Sequence, residues 1–199
     1  MENNYIDLHA HRFYSDGTVS VCSLDLLGGV LPKEGGTYSA GVHPWHAGEK
    51  GVADALKLLE TIRGIVAIGE TGLDFVQGPE RSIQEEVFAV QLSIAEKRGM
   101  PVIIHCVKAY NEVLQTLDGF RLKAVIFHGY IGSPQQSQEI AGRGYYFSIG
   151  QRSLNSPKTV ESLKGAIPQE RLFAETDDGD TSIRIVQDEL AIVLGVTPP

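Results

Sequence analysis

The sequence predicts an α/β protein folded as a (β/α)8 barrel of the TIM type, shortened and irregular in its first quarter. Three observations carry this. Short apolar runs rich in β-branched residues recur along the chain, separated by loops and by stretches of helical periodicity. Eight such runs can be counted, the strand number of that barrel. Residues able to ligate metal stand at the ends of these runs, where such barrels keep their active sites.

The strands are expected at residues 5–11, 18–24, 37–43, 65–70, 101–105, 123–128, 145–150 and 171–177. Val52, Ala55, Leu56, Leu59 and Ile62 recur at helical spacing before Gly64. Ile83, Val87, Val90 and Ile94 do so before Gly99, and both helices are expected to end at their glycine. Ser133-Pro134 and Ser156-Pro157 each offer an N-cap followed by proline at the first helical position. A last helix is expected after Thr181 and Ser182. A barrel of this kind usually takes roughly 250 residues, whereas the chain has 199, so some units must be cut down. The compressed part lies between His11 and Gly41, where a glycine-rich passage replaces any long helical pattern.

One domain over residues 1–199 is expected, because 42% hydrophobic content supplies one sizeable core and no linker composition interrupts it. The opening Met-Glu-Asn-Asn lacks a basic region before an apolar segment, and no stretch is long and apolar enough for a membrane span. The reading is a soluble protein without membrane attachment and with no obligate protein partner. Only Cys22 and Cys106 occur, without a disulfide or zinc-knot spacing, which suits a reducing cytoplasm. A formal net charge of -8 opposes non-specific capture of nucleic acid, so bound metal would have to supply positive charge to an anionic substrate. The chain stops at Val196-Thr-Pro-Pro199 directly after a helix, and a natural chain continuing further is expected.

Strand one ends in His9 and His11, strand three in His43, strand four in Glu70, strand five in His105, strand six in His128, and the last in Glu175-Thr-Asp177. Alternate strand residues face one side, so Asp7, His9 and His11 should point inward, with Ile6, Leu8 and Ala10 toward the helical layer. Two imidazoles can then grip one metal, and Asp7 lies one layer deeper as a supporting group. A single histidine at a strand end is ordinarily just solvated or hydrogen-bonded. Here His105 and His128 each close a strongly apolar run, where an unpaired imidazole is costly to desolvate. Mixed nitrogen and carboxylate donors suit zinc, manganese or a similar transition metal rather than calcium.

The motifs Asp7-Leu-His-Ala-His11, Gly41-Val-His-Pro44, Gly69-Glu-Thr-Gly-Leu-Asp74, Pro101-Val-Ile-Ile-His105, Phe127-His-Gly129 and Glu175-Thr-Asp177 occur in an order that resembles the TatD-like metal-dependent hydrolases, within the amidohydrolase-type barrels. The resemblance implies two divalent ions, zinc, manganese or magnesium. His9, His11 and Asp177 would serve one, His105 and His128 the other, and Glu70 would bridge them. It also implies that Asp177 takes the proton of an activated water, that Glu70 shares the catalytic role, and that His43 contacts substrate without ligating metal. Since the family includes exonuclease-type deoxyribonucleases, a phosphodiesterase acting on DNA is the first expectation. The alternatives are hydrolysis of a small amide, lactone or phosphoester, or metal binding without turnover.

Two departures from the family pattern bear on substrate. Val107 stands where the family commonly has arginine, with Lys108 following. Asp178-Gly-Asp180 adds acid beside Asp177, which would repel a polyanion. Trp45 and His46 are expected as partly exposed rings packing over the barrel rim, with stacking on substrate as the alternative, and Cys106 as a small buried packing residue turned away from the metal. Asp74 is expected to order its loop or support the ligands. Arg12, Lys108 and Arg152 are expected to be solvated.

Overall fold

The computed structural model describes residues 5–12 and 18–198. Residues 1–4, where the leader reading falls, and Pro199, where the continuation reading falls, lie outside them.

Eight strands form one sheet in sequence order: β1 (Ile6–Ala10), β2 (Val19–Asp25), β3 (Thr37–Gly41), β4 (Ile65–Asp74), β5 (Val102–Val107), β6 (Val125–Phe127), β7 (Tyr146–Ile149) and β8 (Leu172–Ala174). The pairs β3–β4, β4–β5, β6–β7 and β7–β8 are parallel. Ala10 makes a parallel bridge to Asp177 just after β8. Consecutive parallel neighbours with the last strand returning to the first are the (β/α)8 order. Among the described residues seven helices intervene or follow: α1 (Val52–Thr61), α2 (Arg81–Arg98), α3 (Tyr110–Leu117), α4 (Pro134–Gly142), α5 (Gln151–Leu154), α6 (Pro157–Leu163) and α7 (Ile183–Leu194). The irregular beginning is as expected: between β2 and β3 the chain makes only a 3-10 turn, Leu26–Gly28.

The chain divides into two compact units, Met1–Val21 with Ile126–Pro199, and Cys22–Val125. In the first, Phe127, Phe147 and Ile149 from strands and Ile140 from α4 are fully buried. In the second, Ile68, Leu73, Ile103 and Ile104 from β4 and β5 are buried, as are Leu59 of α1, Phe88 and Leu92 of α2 and Leu117 of α3. Each such side chain contributes about 1.5–3 kcal/mol by leaving water. No helix among the described residues is long and apolar enough to cross a membrane.

Local signals explain most boundaries. Ser133 accepts from the Gln136 N–H while Gln136 reaches back, a full capping box with Pro134 behind it. Gly99 ends α2 at φ 59°, a left-handed cap where a Cβ would be strained. By contrast, α1 closes at Ile62, two residues before the expected Gly64.

Two side-chain orientations differ from expectation. Ile6 is 51% exposed rather than packed under a helix. On α2, Ile83 and Val90 face outward, and the buried positions of that turn go to Gln84 and Gln91. The apolar periodicity missed this because both glutamines are buried for their hydrogen bonds, described next.

Candidate metal centre

In the first unit β1 carries Asp7 and His9 fully buried, while His11 follows the strand end with its side chain 46% exposed. The backbone of Asp177 locks onto this strand: its N–H donates to the His9 carbonyl at 2.9 Å, and its carbonyl accepts from the His11 N–H at 3.2 Å. Asp177 has φ 54°, in the left-handed region that aspartate visits more readily than most residues. The outcome is convergence of both imidazoles on one carboxylate oxygen. Asp177 Oδ1 lies 3.6 Å from His9 Nε2 and 3.4 Å from His11 Nε2.

These separations are long for hydrogen bonds and suit a shared ion. Two donor atoms each about 2.1 Å from a tetrahedral cation stand about 3.4 Å apart. His128, following β6, stacks at 4.3 Å between ring centroids on His9, and its Nδ1 is 3.6 Å from Glu175 Oε1. His128, Glu175 and Asp177 also bring their ligand atoms within 4.8 Å of one another. Glu175 is fully buried; Oε1 accepts from the Gly129 N–H at 2.6 Å, whereas Oε2 finds no hydrogen-bond partner among the described residues. A buried carboxylate oxygen in that state fits a cation nearby.

Asp7 supports this arrangement through the chain rather than through a ring. Its carboxylate accepts from the Thr176 N–H at 3.0 Å and the Thr176 hydroxyl at 2.6 Å, fixing the residue between Glu175 and Asp177. Burial raises its pKa above the ordinary 3.8, partly offset by those Thr176 bonds.

In the second unit β4 places Glu70 at an irregularity. Three residues of β4, from Ile68 to Thr71, advance against two of β5, from Val102 to Ile104, so the bulge falls at Gly69 and Glu70. The glycines of Gly69-Glu-Thr-Gly72 permit this close approach: a Cβ on Gly69 would meet the Ile103 carbonyl at 2.7 Å, and one on Gly72 the His105 carbonyl at 2.0 Å. Glu70 Oε1 then lies 3.0 Å from His105 Nδ1 and 3.1 Å from His43 Nε2.

The tautomer of His43 follows from its partners, and that of His105 is read with its proton toward Asp74. His43 Nδ1 accepts from the Trp45 N–H at 3.2 Å, so the neutral ring carries its proton on Nε2 and donates to Glu70. His105 Nε2 faces Asp74 Oδ2 at 3.1 Å; donating there leaves the Nδ1 lone pair against the Glu70 oxygen. Two acceptors 3.0 Å apart repel unless a proton or cation lies between them. The His105 and Glu70 donor pair therefore fits a metal, whereas His43 in this tautomer does not offer one a lone pair.

Buried amides hold the second unit's ends in place. Gln91 of α2 accepts from the Val42 N–H at 2.8 Å and donates to the Val42 carbonyl at 3.0 Å, next to His43. Seven residues earlier on the same helix face, Gln84 accepts from the Asp74 N–H and donates to the Asp74 carbonyl, each at 2.8 Å. Asp74 itself caps its loop, accepting from the Val76 and Gln77 N–H groups. Burial pushes its pKa up, but the Trp45 indole, the Val76 N–H, His105 and the Gln77 N–H outweigh this and hold it below the ordinary value.

The structure thus brings His9, His11, His128 and Asp177 together in one unit, and His43, Glu70 and His105 together in the other. Sequence reasoning named Glu175 at the last strand end but gave it no role, although its two-residue spacing from Asp177 signals a shared face. The structure also gives the acids after Asp177 partners that the sequence reading did not assign. Asp178 binds Arg152 at 3.0 and 3.2 Å, and Asp180 binds Arg12 at 3.1 Å, so both acids are paired and neither arginine is simply solvated. Cys106 is half-buried rather than buried, and burial of its thiol pushes the pKa up to about 12, which rules out a nucleophile at neutral pH.

The chain matches the family described as TatD related DNase over residues 31–185. His43, Glu70, His105, His128 and Asp177 fall inside that segment, and His9 and His11 precede it. The chain is 35% identical over 146 residues to the 3'-5' ssDNA/RNA exonuclease TatD of Citrobacter rodentium (strain ICC168), covering 70% of this chain and 56% of that protein. It is 36% identical over 149 residues to the protein of the same name from Klebsiella pneumoniae (strain 342), with 70% and 56% covered. The chain therefore spans little more than half the length of these relatives. Among solved structures, the TatD homolog YJJV from Escherichia coli K12 superposes with a TM-score of 0.79 at 21% identity, covering 95% of this chain and 90% of that one. A TatD family hydrolase from Entamoeba histolytica gives 0.69 at 20% identity, covering 88% and 74%. These likenesses concern the fold.

Proposed function

The chain belongs to the TatD-related DNase family, and from that premise we propose that it is a divalent-metal-dependent phosphodiesterase that degrades single-stranded nucleic acid. The observation that carries the reading is the convergence of His9 Nε2 and His11 Nε2 on Asp177 Oδ1 at 3.6 and 3.4 Å. Relatives named as ssDNA/RNA exonucleases supply the substrate class.

In this reading residues 1–199 act as one hydrolase domain in a reducing cytoplasm, with Cys22 and Cys106 as thiols. His9, His11 and Asp177 would hold one ion, and His105, His128 and Glu70 are the remaining ligands proposed for a second. Zinc, manganese and magnesium are the candidates, and imidazole-rich donors favour the first two. Ions bound there supply Lewis acidity and lower the pKa of water near them. The chain's own residues do the rest. Asp177 accepts the proton released by the attacking water, with its carboxylate aimed by the two backbone bonds to β1. Glu70 accepts a hydrogen bond from His43 Nε2 at 3.1 Å, which fixes the direction of its carboxylate. Arg152, 3.9 Å from Asp177 Oδ2 and bonded to Asp178, holds positive charge beside that carboxylate.

Asp178 and Asp180 each face an arginine, which offsets part of the negative charge beside Asp177. The test is hydrolysis of 5'-labelled single-stranded DNA by the purified chain with added manganese or magnesium. Metal-dependent shortening supports the reading; intact DNA under both metals contradicts it.

A further inference from the structure

Trp45 lies in the 3-10 turn Pro44–His46 and is 41% exposed, although it is the largest aromatic side chain the sequence has and its only tryptophan. Its exposure is not looseness. The backbone N–H donates to His43 Nδ1 at 3.2 Å, and the indole N–H donates to Asp74 Oδ2 at 2.6 Å. Asp74 is 2% exposed, and that same oxygen also meets His105 Nε2. The ring therefore stands edge-to-face against His43 at 4.7 Å and His105 at 6.0 Å between centroids, held at both ends. A single exposed aromatic is ordinary on a protein surface; what sets this one apart is that hydrogen bonds fix it at both its backbone and its indole nitrogen. Clamping it open, beside a candidate metal ligand and by means of a buried carboxylate, prepares it to receive something flat and apolar at little further entropy cost.

We propose that Trp45 is a stacking platform for a nucleobase of the substrate, and that Asp74 is the positioning residue that ties this platform to His105. The proposal rests on the nuclease reading and adds to it a means of gripping the strand. Every base offers a π face, so stacking binds single strands without sequence preference, and duplexed bases are not available to it. This also compensates for a chain whose net charge of -8 gives weak general attraction to phosphates.

Because Trp45 is the sole tryptophan, its emission reads the platform directly. The chain in magnesium is titrated with a phosphorothioate oligothymidylate that resists hydrolysis, and in parallel with an abasic oligonucleotide of equal length and charge. Saturable quenching by the first and not the second is expected. In hydrolysis assays Trp45→Ala raises KM about ten- to hundredfold, with the loss falling on KM rather than kcat, and Trp45→Phe recovers most of it. Equal quenching by both oligonucleotides, no quenching by either, or an unchanged KM in Trp45→Ala overturns the proposal. Base-dependent quenching with no hydrolysis of any single strand keeps the platform and sinks the nuclease reading. Hydrolysis with base-independent emission does the reverse.

Discussion

Gln91 brackets Val42, accepting its N–H at 2.8 Å and donating to its carbonyl at 3.0 Å, one residue before His43. Val42 and Gln91 are both buried, and β3 has ended at Gly41, so the glutamine stands in for a strand partner. Gln91→Leu keeps the volume and leaves two buried backbone groups unsatisfied. A loss of about 2–6 kcal/mol follows from roughly 1–3 kcal/mol for each group. Urea unfolding reads this as a lower midpoint at unchanged slope. A loss below about 1 kcal/mol would mean that water replaces the amide at no real cost.

Gly72 lies at φ 145° with no room for a methyl group, since its Cβ would fall 2.0 Å from the His105 carbonyl oxygen. That oxygen belongs to backbone and cannot swing aside. Gly72→Ala should lower stability by about 3 kcal/mol or more, combining overpacking with an unfavourable φ. Thermal unfolding measures it, and a melting temperature equal to wild type would refute the close β4–β5 approach.

Cys106 adjoins His105 and invites a reactive reading, yet burial pushes its thiol pKa to about 12 from an ordinary 9.0. The shift favours the neutral form. At pH of about 8 almost no thiolate exists, and reactivity should rise only as pH climbs beyond the ordinary value. Ellman's reagent should therefore label neither Cys106 nor the buried Cys22 in the native protein and label both in denaturant. Rapid native labelling at Cys106 would contradict this environment.

Much of the fold was legible because its signals are local. The serine–proline pairs before α4 and α6, the left-handed Gly99, and eight β-rich runs each act within a few residues of their cause. The ligand types were legible for a similar reason, because an imidazole that closes an apolar strand needs a partner to offset its desolvation. What escaped depends on contacts distant in sequence. Gln84 and Gln91 look like surface positions until the backbone they satisfy comes into place, 10 and 49 residues away. The acids Asp178 and Asp180 look repulsive until Arg152 and Arg12 meet them. The short helix α3 was missed because Tyr110–Leu117 spans barely two turns, too few for periodicity to speak.

We propose that His9, His11 and Asp177 hold a divalent ion that phosphodiester hydrolysis requires. Asp177→Asn tests it with least disturbance, because asparagine also tolerates the left-handed φ of 54° at this position. The decisive measurement is the rate of single-stranded DNA shortening, wild type against Asp177→Asn, with bound metal counted in the same samples. The account predicts metal-dependent shortening by wild type, a rate lower by on the order of 10²–10⁴ in the variant, and a loss of bound metal. Shortening that survives chelation, or a variant as fast as wild type with its metal retained, would contradict it.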